Sequence, residues 1–398
     1  MSKLPSELLQ QVRNETSGIK NVIHFNNAGA SLMPDCVVKA MIDHLELEAR
    51  IGGYEAAAAM HDQIEDFYVK AAELLHCQPH NIAFTSNATD AYNRALSSIP
   101  LKKGDIILTS NDDYVSNYIA FISLKKRMGI EIKRINNIPE GGIDVEDAEQ
   151  KIRQFNPVLF SLSHVPTSSG LVQPVAAIGD LCRKYEIPYL VDACQSIGQI
   201  DLHMDDIGCD FLSVTSRKFL RGPRGAGFLF VSDSALQKKW YPLFIDMEGA
   251  TWTSAQDFDL RSSARRFEDW ECPYALLLGS KAAVEYALNI GMTQIERAVL
   301  NIRQRTEEAL LKIPRIRVLD KGRQQCGIVT IHMQNTDPLT LKNFLSDQNI
   351  NTSIVEKSSA VIDFKEKGID WALRISPHYY NSSMELEQLV DSLSQYRQ

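Results

Sequence analysis

Between about residues 81 and 233, short β-branched apolar runs alternate with stretches of helical spacing, and this alternation limits the fold most tightly. The runs fall at 82–85, 106–109, 130–135, 158–162, 189–191, 211–214 and 228–231. Most are apolar on both faces, as strands are when helices cover both sides of a parallel sheet. Segments 118–128 and 175–185, between such runs, carry helical periodicity. The pattern predicts an α/β domain with a mostly parallel, doubly wound sheet. The last runs follow one another without a clear helix, so a mixed edge is expected. Near residue 247 the rhythm changes. The stretch 247–266 is polar and reads as an irregular connection. Helices are expected at 275–290 and 293–312, strands at 316–319 and 327–333, a helix at 339–348, and strands at 352–355 and 371–375. A last helix at 383–396 has Leu386, Leu389, Val390 and Leu393 on one face. These elements divide the chain into an N-terminal arm (1–20), a large domain (21–255) and a smaller α+β domain (256–398).

The formal net charge of −8 argues against a nucleic-acid-binding or anionic-lipid-binding surface. Seven cysteines occur with no C-x-x-C spacing, which argues against a zinc ribbon or a dithiol redox pair. The odd count suits buried, reduced thiols. Residues 1–20 are polar and lack the apolar stretch of a signal peptide. No run of about 18 apolar residues is present, so no membrane span is expected and a cytoplasmic location is.

Several strand ends carry groups capable of chemistry. Open α/β sheets bind ligands beyond the carboxyl ends of their strands. There the chain has Tyr189-Leu-Val-Asp192-Ala-Cys-Gln195 and Thr215-Ser-Arg217-Lys218-Phe-Leu-Arg221-Gly-Pro-Arg224. A lysine amine forms a Schiff base with an aldehyde cofactor, pyridoxal phosphate (PLP). An aspartate facing the ring nitrogen keeps it protonated, which makes the ring an electron sink. Lys218 and Asp192 suit these two tasks, and Arg217, Arg221 and Arg224 are expected to lower the lysine pKa. Phe84-Thr-Ser86-Asn-Ala88-Thr89 runs from a strand into a helix whose N-terminus suits a phosphate, with Ser86 and Thr89 as hydroxyl donors. Asp113-Tyr114-Val-Ser-Asn117 offers Tyr114 for stacking on a flat ring. Ser163-His164-Val-Pro-Thr167 offers Thr167 to a ring hydroxyl, and Arg374 offers a two-pronged grip on a carboxylate. Each group taken alone is also an ordinary cap, turn or solvated charge; the combination is what points to one chemistry. Glycine-rich dinucleotide, Walker, H-E-x-x-H and G-x-S-x-G motifs are absent, which argues against nicotinamide, nucleotide, zinc-protease and serine-hydrolase chemistry.

In that order, from Phe25-Asn-Asn-Ala-Gly-Ala30 to Tyr380-Asn381, these motifs resemble the class V aminotransferase family of fold-type I PLP enzymes. That group includes cysteine desulfurases, selenocysteine lyases, isopenicillin N epimerase and hercynylcysteine sulfoxide lyase. The resemblance implies that Lys218 carries the cofactor and that Asp192 partners the pyridine nitrogen. It implies Gln195 and Thr167 at the ring hydroxyl, Tyr114 stacked on the ring, and Ala88 and Thr89 at the phosphate. Thr215 and Arg217 stand where the family has Ser and His near the phosphate. Arg374 matches the substrate-carboxylate arginine, and Asn27 and Ala28 belong to a loop on the substrate side. A homodimer with active sites at the interface is also implied, acting on a small amino acid and needing no metal.

Two departures bear on the reaction. Desulfurases of the family carry a sulfur-accepting cysteine shortly before the substrate arginine, yet 354–371 contains none and the nearest upstream is Cys326. The threonine often lent by the partner subunit has no match in 266–273, where Glu271 or Cys272 stands. H-V-P-T-S, S-R-K-F-L-R-G and P-H-Y-Y-N look closer to the epimerase and C–S lyase branch. The expectation is a C–S lyase performing β-elimination on a cysteine-derived substrate. The alternatives are a cysteine desulfurase or selenocysteine lyase, an aminotransferase, an isopenicillin N epimerase-like enzyme, and a non-catalytic scaffold. Tyr54, His164, Arg265 and Tyr379 are further candidates for the pocket wall.

Overall fold

A computed structural model describes residues 4–397. All seven apolar runs between 82 and 231 become strands of one seven-stranded sheet. Its order is Ile82–Thr85, Gly227–Val231, Phe211–Thr215, Tyr189–Asp192, Leu159–Ser163, Ile106–Thr109 and Glu131–Arg134. Neighbours from 211–215 to 131–134 pair in parallel, while 227–231 runs antiparallel to both its neighbours, giving the mixed edge. The central strands are buried on both faces; Phe160, Leu190, Val191 and Leu212 have no exposed surface. Phe160, Val191 and Leu212 belong to one apolar layer, and Leu159, Leu190 and Phe211 to the other. Each such side chain contributes about 1.5–3 kcal/mol on burial, which is why the runs read as continuously apolar.

A second, four-stranded antiparallel sheet has the order Ile316–Val318, Val329–Met333, Trp371–Ile375, Ser353–Glu356. Ile302 of the Met292–Leu310 helix and Leu386, Leu389 and Leu393 of the Ser383–Gln395 helix complete its core, and Val390 is only partly buried. The Tyr274–Ile290 helix packs instead on the Asp35–Ile51 and His61–Leu75 helices, and its Leu277, Leu278 and Val284 join the large-sheet core. Near the N-terminus, Ile23–His24 pairs in parallel with Ile350–Asn351.

The expected irregular stretch 247–266 is in part a hairpin, Ala250–Ser254 with Asp257–Leu260. Both its faces are largely exposed, Trp252 by 81%, so no alternation of apolar and polar residues marks it. A short Val361–Lys367 helix also lies where no element was expected. The carboxyl ends of the parallel strands turn into the loops that begin at Ser110, His164, Ala193 and Ser216. These loops build the candidate site.

Candidate active site

A cavity of about 150 Å³ opens at those strand ends. Asp192 and Lys218 both line it. Asp192 ends its strand and is held at both oxygens: Oδ1 accepts the Cys194 N–H at 2.9 Å and Oδ2 accepts Asn117 Nδ2 at 3.0 Å. Lys218 is 6% exposed, and burial lowers its pKa, with the positive charges of Arg217 and Arg374 acting the same way. Its Nζ lies 5.9 Å from the centroid of the Tyr114 ring, which also borders the cavity. A lowered lysine pKa enlarges the neutral, nucleophilic fraction of the amine.

One wall is the N-terminus of the Ala88–Ser98 helix. Asn87 caps it by accepting the Asp90 N–H at 3.0 Å. The free N–H groups of a first turn and the helix dipole favour an anion there. Gly227 lets the neighbouring strand approach this turn: a Cβ on it would stand 2.3 Å from Val214 O and 3.1 Å from Ala88 N. Thr89, Thr215 and Arg217 border the same region. The Arg217 guanidinium donates to the Gly29 carbonyl, and burial, then Arg224, lowers its pKa.

On the opposite side, Thr167 Oγ1 accepts from Gln195 Nε2 at 2.9 Å and from Arg374 Nη1 at 2.8 Å. With two donors already on this oxygen, the Thr167 proton is available to a ligand. Gln195 Nε2 also donates to the Ala28 carbonyl at 3.1 Å, while its buried Oε1 has no partner among the described residues. Arg374 is 6% exposed; burial brings its pKa down to about 10, and its Nε likewise has no partner among the described residues.

Beneath Tyr114 lies a network that the sequence analysis did not assign. Asp113 accepts from the Tyr114 N–H at 2.7 Å, Ser163 Oγ at 2.6 Å, Asn117 Nδ2 at 3.2 Å and Thr109 Oγ1. Burial raises the Asp113 pKa, and its hydrogen bonds oppose that shift. The available signal was the i, i+4 spacing of Asp113 and Asn117 at the start of the Val115–Met128 helix.

The other candidates do not line this cavity. Asn27 bonds through Nδ2 to the carbonyls of His24 and Ser376, and its Oδ1 accepts from Tyr380. Ser86 is exposed and does not line the cavity. Arg221 is turned into a tyrosine cage, where it donates to Tyr379 Oη, Thr16 Oγ1 and the Leu32 carbonyl. It therefore does not act on Lys218; Arg217 does. The four suggested wall residues lie outside as well. Tyr54 is 80% exposed, Tyr379 binds Arg221, and Arg265 is paired with Glu65, Glu248 and Glu268. His164 lines a different cavity, beside Gln173 and Pro174.

The family model for aminotransferase class V matches residues 23–389. A probable cysteine desulfurase of Pyrococcus abyssi is 27% identical over 97% of this chain and 97% of its own. A probable hercynylcysteine sulfoxide lyase of Mycobacterium tuberculosis is 23% identical over 93% of this chain and 89% of its own. The apo cysteine desulfurase of Thermococcus onnurineus superposes with a TM-score of 0.89 at 25% identity, covering 99% of this chain and 98% of that one. The chain belongs to the class V aminotransferase family and has the fold-type I architecture. It is a PLP-dependent enzyme.

Proposed function

We propose that the protein is a C–S lyase that performs β-elimination on a cysteine-derived amino acid, with PLP in the cavity around Lys218. The residues fit the cofactor on three counts. The site sets the Arg217 guanidinium beside a helix N-terminus, so that region suits an anion. Gln195 Oε1 is a buried acceptor without a donor, and a ring hydroxyl supplies one. Tyr114 presents an aromatic ring above the space beside Lys218.

In this reading Ala88, Thr89, Thr215 and Arg217 hold the phosphate. Thr167 and Gln195 hold the ring hydroxyl, Tyr114 stacks on the ring, and Asp192 keeps a proton on the ring nitrogen. Bound PLP supplies a sink for the electron pair left when the substrate Cα–H bond breaks. Arg374 grips the substrate carboxylate beside the Asn27–Ala28 loop and fixes which Cα bond faces Lys218. Lys218 Nζ takes the α-proton and holds it while the Cβ–S bond breaks. Elimination frees a thiol or sulfenate and aminoacrylate, and the aminoacrylate takes up one water to give pyruvate and ammonia.

The choice of lyase over desulfurase rests on the thiols. Residues 354–371 contain no cysteine, and part of that segment is the Val361–Lys367 helix, whose Glu366 accepts from Asn111 Nδ2 at 3.0 Å. Cys326 is 1% exposed, with its thiol pushed up to about 12 by burial. Cys194 lines the cavity, but burial pushes its pKa well above the usual thiol range. Sulfur transfer needs a thiolate, which burial disfavours at both thiols. The names of relatives support both readings: desulfurase for the Pyrococcus protein, lyase for the Mycobacterium one.

We also propose a homodimer. The segment 243–270 exposes Phe244 by 87%, Met247 by 67% and Trp252 by 81%, an apolar surface suited to a second copy. The functional test is product analysis of the PLP-loaded enzyme with cysteine and a panel of S-substituted cysteines. The reading predicts pyruvate and ammonia in equal amounts. Alanine with one equivalent of transferred sulfur would contradict it and establish a desulfurase.

A further inference from the structure

Away from the cavity, His76, Asp201 and His203 bring three ligand atoms within 4.8 Å of one another. We propose that they form a second, separate site that binds one divalent transition-metal ion, with Zn²⁺ as the reference ion. His76 caps the end of the His61–Leu75 helix in a left-handed conformation (φ 52°). Asp201 and His203 lie between the Tyr189–Asp192 strand and the short Met204–Ile207 helix. The two imidazole Nε2 atoms face the same carboxylate oxygen: Asp201 Oδ1 is 3.2 Å from His76 and 3.7 Å from His203. Ligand atoms 2.0–2.1 Å from a shared tetrahedral ion stand about 3.3 Å apart, so these separations suit an ion between them.

The surroundings orient the set. Thr293 Oγ1 donates to Asp201 Oδ2 at 3.2 Å, which leaves Oδ1 for the ion. Such a bond behind a ligand fixes its direction and tunes its affinity. The histidine rings are stacked, with centroids 3.7 Å apart and 7° between planes. Parallel rings aim their lone pairs side by side, so each must turn about its Cβ–Cγ bond to meet one ion. Side-chain exposures of 47% and 45% leave them room to do so. The protein then supplies three positions, and water completes the shell.

The donor set selects the class of ion. Two imidazoles and one carboxylate suit Zn²⁺, Ni²⁺ or Cu²⁺, whereas Mg²⁺ and Ca²⁺ favour oxygen alone. An ion here ties the end of one helix to the 201–203 loop and, through Thr293, to the start of the Met292–Leu310 helix. Binding to the folded chain alone raises its thermal stability by mass action.

The test uses the PLP-loaded full chain, with calorimetric titration of ZnCl₂ at pH 7.5 and a thermal melt with Zn²⁺ or Mg²⁺. The proposal predicts one Zn²⁺ more per chain in the wild type than in His203→Ala or His76→Asn, or binding weakened in these variants by at least about tenfold. It predicts a Zn²⁺-dependent rise in Tm in the wild type only and none with Mg²⁺. An unchanged cofactor absorbance band verifies that each variant is folded. Zn²⁺ bound equally by wild type and either folded variant, no Zn²⁺ bound at all, or an equal response to Mg²⁺ would overturn it.

Discussion

Asn117 links two buried carboxylates: its Nδ2 donates to Asp192 Oδ2 at 3.0 Å and to Asp113 Oδ1 at 3.2 Å. Asp113 also receives the Tyr114 N–H at 2.7 Å. One buried acid thus fixes the start of the helix that carries the proposed stacking ring, and one amide fixes the proposed partner of the cofactor nitrogen. A hydrogen bond to a charged acceptor is worth about 1.5–3 kcal/mol. Asn117→Ala is therefore expected to weaken PLP binding by at least about tenfold, read by equilibrium absorbance titration. Wild-type affinity in this variant would show that Asp192 needs no such support.

Arg374 has its Nη1 anchored on Thr167 at 2.8 Å and its Nε unpartnered. A lysine there keeps the charge and loses the fork that matches a carboxylate. Arg374→Lys is expected to raise KM by about tenfold or more and to change kcat less, because carboxylate binding is shared by ground and transition states. Steady-state kinetics with the best substrate of the panel decides this; an unchanged KM would remove Arg374 from the substrate site.

His164 makes a pH prediction. Burial lowers its pKa to about 4, so between about pH 6.5 and 4 the unfolded chain binds a proton that the folded chain does not. Stability therefore falls as pH falls through this window, by up to about 1.4 kcal/mol per pH unit for this one proton. His24 and His378 are lowered by burial as well and act with the same sign. His164→Gln is expected to flatten the dependence without abolishing it. Urea melts at pH 7 and pH 5 measure the slope, and equal slopes for both proteins would contradict the assignment.

The exposed strap bears on assembly. The proposed homodimer predicts a dimer for the wild type and a monomer for Phe244→Glu with Trp252→Ser, measured by sedimentation velocity. A stable dimer in the double variant would place the interface elsewhere on the surface.

The sequence made the large sheet legible because strands buried on both faces are written as unbroken apolar runs, such as 189–191 and 211–214. The 250–260 hairpin was hidden because exposed faces impose no such pattern, and Trp252 read as one more residue in a polar stretch. At the site, Lys218, Asp192, Arg217, Thr167 and Gln195 were visible as polar residues just past strand ends, and they line one cavity. Adjacency along the chain misled where direction mattered. Arg221 is three residues from Lys218, yet its positive φ of 63° accompanies a side chain held among tyrosines. The amide of Asn27 ties its loop to Ser376 and Tyr380, a link its motif alone does not show. The task of Asn117 is not legible in its motif, because its link to Asp192 joins positions 75 residues apart.

The most direct test of the central claim, that this cavity is a PLP site built on Lys218, is borohydride reduction of the PLP-loaded protein followed by peptide mass spectrometry. Reduction fixes the lysine–cofactor bond irreversibly. The account predicts one pyridoxyl group per chain, on the peptide containing Lys218, and no labelling or visible band in Lys218→Ala. Label on a different lysine, or an unchanged band in the variant, would contradict it.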